Sequence, residues 1–197
     1  LRATGADFCG PVLSSPVHHA DQGHLQSYML FFRRSALTNA AFQTYWRDMA
    51  LSNNKHAVVK RNEFRLTRDL ARLGLHFATI WTFEDAVAAL RSLPVAAMRE
   101  VAAYARTRDP ERAGRLRTLT DSLPDAEYAG TFARLAASGA LGRYLPSAPP
   151  QVLTDALRVP FLKKDRDPKY VLQRATLRRS TSHAALDPVM RQEIDSR

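Results

Sequence analysis

Apolar positions along this chain change period twice, and the changes divide it. Residues 6–13, Ala-Asp-Phe-Cys-Gly-Pro-Val-Leu, predict a short strand broken at Gly10-Pro11. A polar loop follows from Ser14 to Gly23, carrying Pro16, His18 and His19. The run from His24 to Phe32 is dense in aromatic and aliphatic side chains and short, which predicts one buried strand. Arg33 to Leu37 reads as a turn. Asn39 is placed to cap a helix in which Ala41, Phe42, Tyr45, Trp46 and Met49 recur at helical spacing, with Trp46 in the core. Ser52-Asn53-Asn54 reads as the end of that helix, and Lys55 to Arg61, with His56-Ala57-Val58-Val59, as helical or extended. Glu63 then opens a second amphipathic helix, with Leu66, Leu70 and Leu73 at i, i+4 and i+7 and Gly74 where a C-cap belongs. Leu75 to Trp81 reads as a strand.

After Thr82 the composition turns Ala-rich and helical, broken at Pro94, at Arg108-Asp109-Pro110 and at Gly139. Pro146 to Pro150 reads as a linker, Gln151 to Arg158 as a short helix, and Lys169 to Arg179 as a basic helix. The expected organisation is therefore an α/β segment over 1–82, a helical region over 83–150, a basic helical segment over 151–180 and a flexible tail over 181–197.

Charge narrows the class of partner. Lys plus Arg number 29 against 19 Asp plus Glu, a net charge of +10 over 197 residues. That balance favours an anionic partner: nucleic acid, an acidic membrane face or a phosphorylated substrate. The one cysteine, Cys9, excludes an intrachain disulfide and any cysteine-built zinc cage, and reads as a small buried residue. No apolar run approaches the roughly 18–20 residues of a membrane span. The chain opens on Leu1 with a Gly turn running straight into a strand, the pattern of a beginning inside a domain; the expectation is that an N-terminal part is absent.

Two groups of residues could carry chemistry. On an extended strand His24, Gln26 and Tyr28 share one face, presenting an imidazole, an amide and a phenol to a polyhydroxylated or phosphorylated ligand. The competing view is that they cap a strand end beside a loop. At Asn62-Glu63, a carboxylate in a first helical turn is favoured by the exposed N–H groups. The same carboxylate, kept ionised there, could serve as a general base toward a hydroxyl. His18-His19 and His24 lack the spacing of a metal site, and no metal ligand is assigned. From Arg158 to Arg179 stand Lys163, Lys164, Arg166, Lys169, Arg174 and Arg178 against Asp165 and Asp167. This is a solvated helix face or a contact with anionic phospholipid. No helix-turn-helix, zinc finger or RNP-type pattern supports nucleic acid.

These segments together resemble one family. His24 to Phe32 (HLQSYMLFF) is similar to the HLQSYFLVF signature of the rhamnan synthesis F family of glycosyltransferases. Phe42-x-x-Tyr45-Trp46 resembles its next helix, and Lys60 through Leu75, with Glu63, Leu66-Thr67-Arg68, Leu70 and Gly74, its Leu-Thr-Arg segment. Ala6 to Gly10 resembles the preceding strand, and Val159 to Lys163 a later element. The resemblance implies part of a GT-A-like, Rossmann-like α/β glycosyltransferase domain, its acceptor half, followed by a mainly helical C-terminal region. It implies transfer of a hexose or deoxyhexose, rhamnose among them, from a nucleotide-sugar donor to a lipid-linked or polysaccharide acceptor. Glu63 would take the place of the catalytic base, with Asn62 replacing a preceding acid. His24, Gln26, Ser27 and Tyr28 would line the sugar or diphosphate site, with Arg61 and Arg65 toward phosphate. A metal, Mg or Mn, would be held by residues outside this chain, since Asp165-Arg166-Asp167 reads as a loop. The site of action would be the cytoplasm, peripherally at the inner face of the cell membrane. The alternative is a non-catalytic basic module that binds anionic membrane or nucleic acid.

Overall fold

The computed structural model describes residues 5–14, 23–50, 52–142, 147–159, 162 and 166–196, apart from the side chains of Lys55, Lys60, Arg61, Arg112, Thr181 and Ser182. The loop with His18 and His19, and Phe161, Lys163, Lys164 and Asp165, lie outside the described residues. The chain divides into two compact units, Leu1–Thr82 and Phe83–Arg197.

In the first unit, strand β1 (Phe8–Ser14) runs unbroken through Gly10-Pro11. The expected nine-residue strand after the loop is instead two short pieces, β2 (His24–Leu25) and β3 (Phe31–Phe32). Both pair antiparallel with β1, at Leu13↔Leu25 and at Cys9↔Phe31. Between those pairings β1 advances four residues while its partner uses six, so two extra residues bulge out opposite Gly10-Pro11. Gly10 permits this: a Cβ there would sit 3.0 Å from the Cβ of Leu25 and 3.2 Å from a methyl of Leu30. Pro11, which has no N–H to give a ladder, occupies the same stretch.

Helices α1 (Arg34–Leu37) and α2 (Ala40–Arg47) follow. Asn39 caps α2 as its position predicts, its side-chain oxygen accepting from the N–H of Phe42 at 3.0 Å. The next helix begins eight residues earlier than the pattern suggests. Asn54 is its cap, accepting from the N–H of Ala57 at 3.1 Å. From there α3 (Lys55–Val58), a π-helical turn (Val59–Glu63) and α4 (Phe64–Arg72) follow without a break. Gly74 ends the helix with φ +82°, a conformation that costs other L-residues strain, and the N–H of Leu75 returns to the carbonyl of Leu70 at 3.2 Å. Strand β4 (Phe77–Trp81) then pairs parallel with β1, from Phe8↔Phe77 to Val12↔Trp81. Among the described residues this is the one parallel pairing. The mixed α/β class is therefore as expected; the described sheet is small and mainly antiparallel.

The core lies on one face of this sheet. Phe8, Leu25, Ala36, Phe42, Leu66, Leu70 and Leu75 are buried together. Phe8 stacks on Phe32 at 5.8 Å and meets Phe77 at 6.0 Å. Each such side chain contributes roughly 1.5–3 kcal/mol on leaving water. Trp46, expected in the core, is half-exposed because it covers the outer side of Phe42 and Phe32. Asp7 ties the start of β1 to two distant segments. Its carboxylate accepts from the His76 N–H at 2.9 Å and the Ser35 hydroxyl at 3.2 Å. The His76 N–H chiefly holds that carboxyl below its ordinary pKa, burial opposing and Ser35 assisting.

The second unit is helical. Helices α5 (Phe83–Arg91) and α6 (Val95–Arg108) are separated at Pro94. A short α7 (Pro110–Ala113) leads through a 3₁₀ turn toward α8 (Asp125–Ser138), which stops at Gly139. Arg99 on α6 fixes the start of α8: its guanidinium lies 4.2 Å from the Tyr128 ring and donates to the Leu123 carbonyl at 3.0 Å and to Asp125 at 3.2 Å. Tyr104 and Arg108, one turn apart on α6, both donate to the Ser147 carbonyl. Burial raises the Tyr104 phenol to about 12, so it stays a donor. A π-helical turn (Gln151–Ala156) precedes α9 (Pro168–Arg178). The last residues, expected to fray, instead form a 3₁₀ turn and helix α10 (Pro188–Asp195), held by buried Ile194 and a 2.9 Å contact from His183 to Asp195.

Candidate functional site

The bulge and the continuous helix decide where the predicted residues go. Leu25 turns inward, and its N–H donates to the hydroxyl of Thr67 at 2.8 Å. Thr67 sits between Leu66 and Leu70 on the buried side of α4, so this bond clamps β2 onto the helix. The clamp brings two of the predicted residues together. His24 and Gln26 are both buried, and the Gln26 amide lies 3.2 Å from His24 Nε2. Phe64, the first residue of α4, covers the His24 ring at 4.7 Å.

The chemistry of that pair follows from burial. Removal from water lowers the His24 pKa, so the ring is neutral near pH 7. The Gln26 amide N–H then donates to Nε2, which leaves the ring proton on Nδ1. A neutral, oriented imidazole beside an amide suits hydrogen bonding to a hydroxyl or a phosphoryl oxygen.

Ser27 and Tyr28 do not share that face. They fall in the turn of the bulge and are exposed, because the strand that would have aligned them ends at Leu25. Glu63 is placed next to Phe64 but not at a helix start. It lies eight residues into a helix that begins at Lys55, in the π-helical turn. The favourable N-terminal dipole expected for it is therefore absent there. What the structure supplies instead is a local widening, where side chains leave the α-helical register. Glu63 is half-buried, and among the described residues its side chain has neither a hydrogen-bond nor an ion-pair partner. Its neighbour Asn62 donates its amide to the Ala50 carbonyl at 3.2 Å, a role an ionised carboxylate could not fill. Arg65 points outward, on the far side of α4 from Thr67. The side chain of Arg61 lies outside the described residues.

Sequence reasoning missed Thr67 and Phe64. The available signal was a hydroxyl inside an apolar helical stripe, a polar group that must find a partner once buried.

No three metal-ligating side chains come together among the described residues. Asp167 caps α9, accepting from the Lys169 N–H at 3.0 Å and pairing with the Lys169 ammonium at 2.8 Å. No described helix is long and apolar enough to cross a membrane.

Comparison with known proteins agrees with the signature residues. The family model for rhamnan synthesis protein F matches residues 10–98. Over 98% of its length the chain is similar, at 23% identity, to the uncharacterized protein y4gN of Sinorhizobium fredii, and it spans about half (51%) of that relative's length. No solved structure matches.

Proposed function

We propose, from the premise that residues 10–98 belong to the rhamnan synthesis protein F family, that this chain carries the acceptor side of a glycosyltransferase. Membership implies a role in rhamnan, and so polysaccharide, synthesis. The finer reading is transfer of a hexose or deoxyhexose from a nucleotide-sugar to a growing glycan, within a GT-A-like domain. One observation carries it: the Leu25–Thr67 clamp holds the buried, neutral His24–Gln26 pair against α4, where the His24 ring meets Phe64, the residue that follows Glu63.

The step assigned to these residues is short. The Glu63 carboxylate takes the proton of an acceptor hydroxyl as its oxygen attacks the anomeric carbon. The bond from that carbon to the diphosphate breaks, and the diphosphate leaves with the electron pair. His24 and Gln26 orient the sugar or diphosphate by hydrogen bonds, and Tyr28 and Ser27 border the approach from the turn. Such alignment converts an encounter into an in-line displacement. Neutralising the departing diphosphate falls to groups outside the described residues, where Mg or Mn would act.

The test is a screen of nucleotide-activated hexoses and deoxyhexoses, with the native gene product, membranes as acceptor source and a Glu63→Gln variant alongside. Transfer should fall by roughly 10²-fold or more in the variant while its melting curve is unchanged. Equal transfer by Glu63→Gln would sink the base assignment. A well-folded protein with no transfer and no donor hydrolysis would favour a non-catalytic basic module.

A further inference from the structure

Two surfaces carry exposed basic residues. Between 158 and 179, Arg158, Arg166, Arg178 and Arg179 are exposed, whereas Arg174 is buried in α9 and Lys169 pairs with Asp167; no exposed large aromatic side chain stands beside them among the described residues. The other surface belongs to the first unit. On α4, Arg65, Arg68 and Arg72 all face water, Arg68 and Arg72 with side chains 49% and 71% exposed. At 100° per residue these three fall within an arc of about 60° and span about 10 Å along the axis. One carboxylate borders them: Asp69 lies 3.6 Å from Arg68 and 3.9 Å from Arg72. On the opposite border, one turn before Arg68, Phe64 is 52% exposed even though it covers His24.

We infer that this outer face of α4 docks on an anionic phospholipid bilayer. A row of guanidiniums beside a projecting aromatic ring matches what such a surface offers. The headgroup phosphates meet the arginines, and the ring reaches toward the boundary with the acyl chains. The helix does not have to insert, since its apolar side is already spent on Leu66 and Leu70 in the core. This goes beyond the transferase reading and does not depend on it.

Vesicle sedimentation with the full chain tests it, without donor or acceptor present. Vesicles of one part phosphatidylglycerol to two of phosphatidylcholine should bind the chain, and pure phosphatidylcholine should not. Each arginine should contribute roughly fivefold, so Arg65→Gln/Arg68→Gln/Arg72→Gln should weaken partition about 100-fold. These exposed changes should leave the melting curve intact. Phe64→Ser should also weaken partition and leave the remainder more salt-sensitive. Arg166→Gln/Arg178→Gln/Arg179→Gln should partition as the unaltered chain does. The inference is overturned if the α4 variant binds as well as the unaltered chain, or if the C-terminal variant carries the loss. It is equally overturned if phosphatidylglycerol vesicles fail to bind while a single-stranded oligonucleotide is captured through the same arginines.

Discussion

His24 concentrates the physical logic of the site in one ring. It is buried, its Nε2 is held by Gln26, and its pKa lies below the ordinary histidine value because burial penalises the cation. The sign of the consequence is fixed. The unfolded ring begins to bind a proton below about pH 6.5, while the folded ring resists until a lower pH. In that window the unfolded state holds more protons, so stability is full above it and falls as pH drops through it. Melting temperatures at pH 7.5 and 5.5 should therefore differ more for the native chain than for His24→Gln, which keeps a polar partner for Gln26 but does not titrate. An equal drop in both would show that other groups set the acid limit.

At the scale of elements, the helix from Lys55 to Arg72 matters most, because its true start moves Glu63 off an N-terminus. If Asn54 caps that helix, Asn54→Ala should destabilise the chain by about 1 kcal/mol, while Asn53→Ala should be close to neutral. Thermal melts of the two variants distinguish a helix opening at Asn54 from one opening at Glu63. The same residue explains what the sequence could and could not tell. Asn39, Gly74 and Pro94 act through local backbone chemistry, so their roles were readable from position alone. Ser52-Asn53-Asn54 is equally good punctuation for an end or a beginning, and read as an end it leaves Lys55 to Arg61 open between helix and extended chain. The His24–Phe32 run looked like one strand because its composition is uniform. Its bulge is imposed by Gly10 and Pro11 on the neighbouring strand, which no window along the run contains. Of the site, the pairing of His24 with Gln26 was legible from their spacing. Its attachment to α4 through Thr67 depends on a contact 42 residues apart.

For the whole molecule, two separate apolar cores imply two separate sources of stability. Leu70 is fully buried in the first unit, and Phe132, stacked on Tyr128 at 6.4 Å, is fully buried in the second. Leu70→Ala should cost about 2–5 kcal/mol and Phe132→Ala about 3–5 kcal/mol. Leu70 and Phe132 belong to different compact units, and in the double variant the costs should add to within about 0.5 kcal/mol. Chemical denaturation of the three variants measures this directly. A large coupling energy would mean that the cores are not energetically independent.

Asp7 places a demand on the order in which the protein is made. It stands at the head of the central strand, yet the backbone N–H its carboxylate requires belongs to His76, 69 residues later. A ribosome adding roughly 5–20 residues per second leaves an interval of about 3–14 seconds between the two. Throughout that interval β1 has one flank without the strand that will cover it, and Phe8 has no Phe77 to meet. An apolar strand kept waiting for so long is a natural client for a chaperone at the exit tunnel. β4, the last strand of that sheet to be made, is the one that covers the waiting flank.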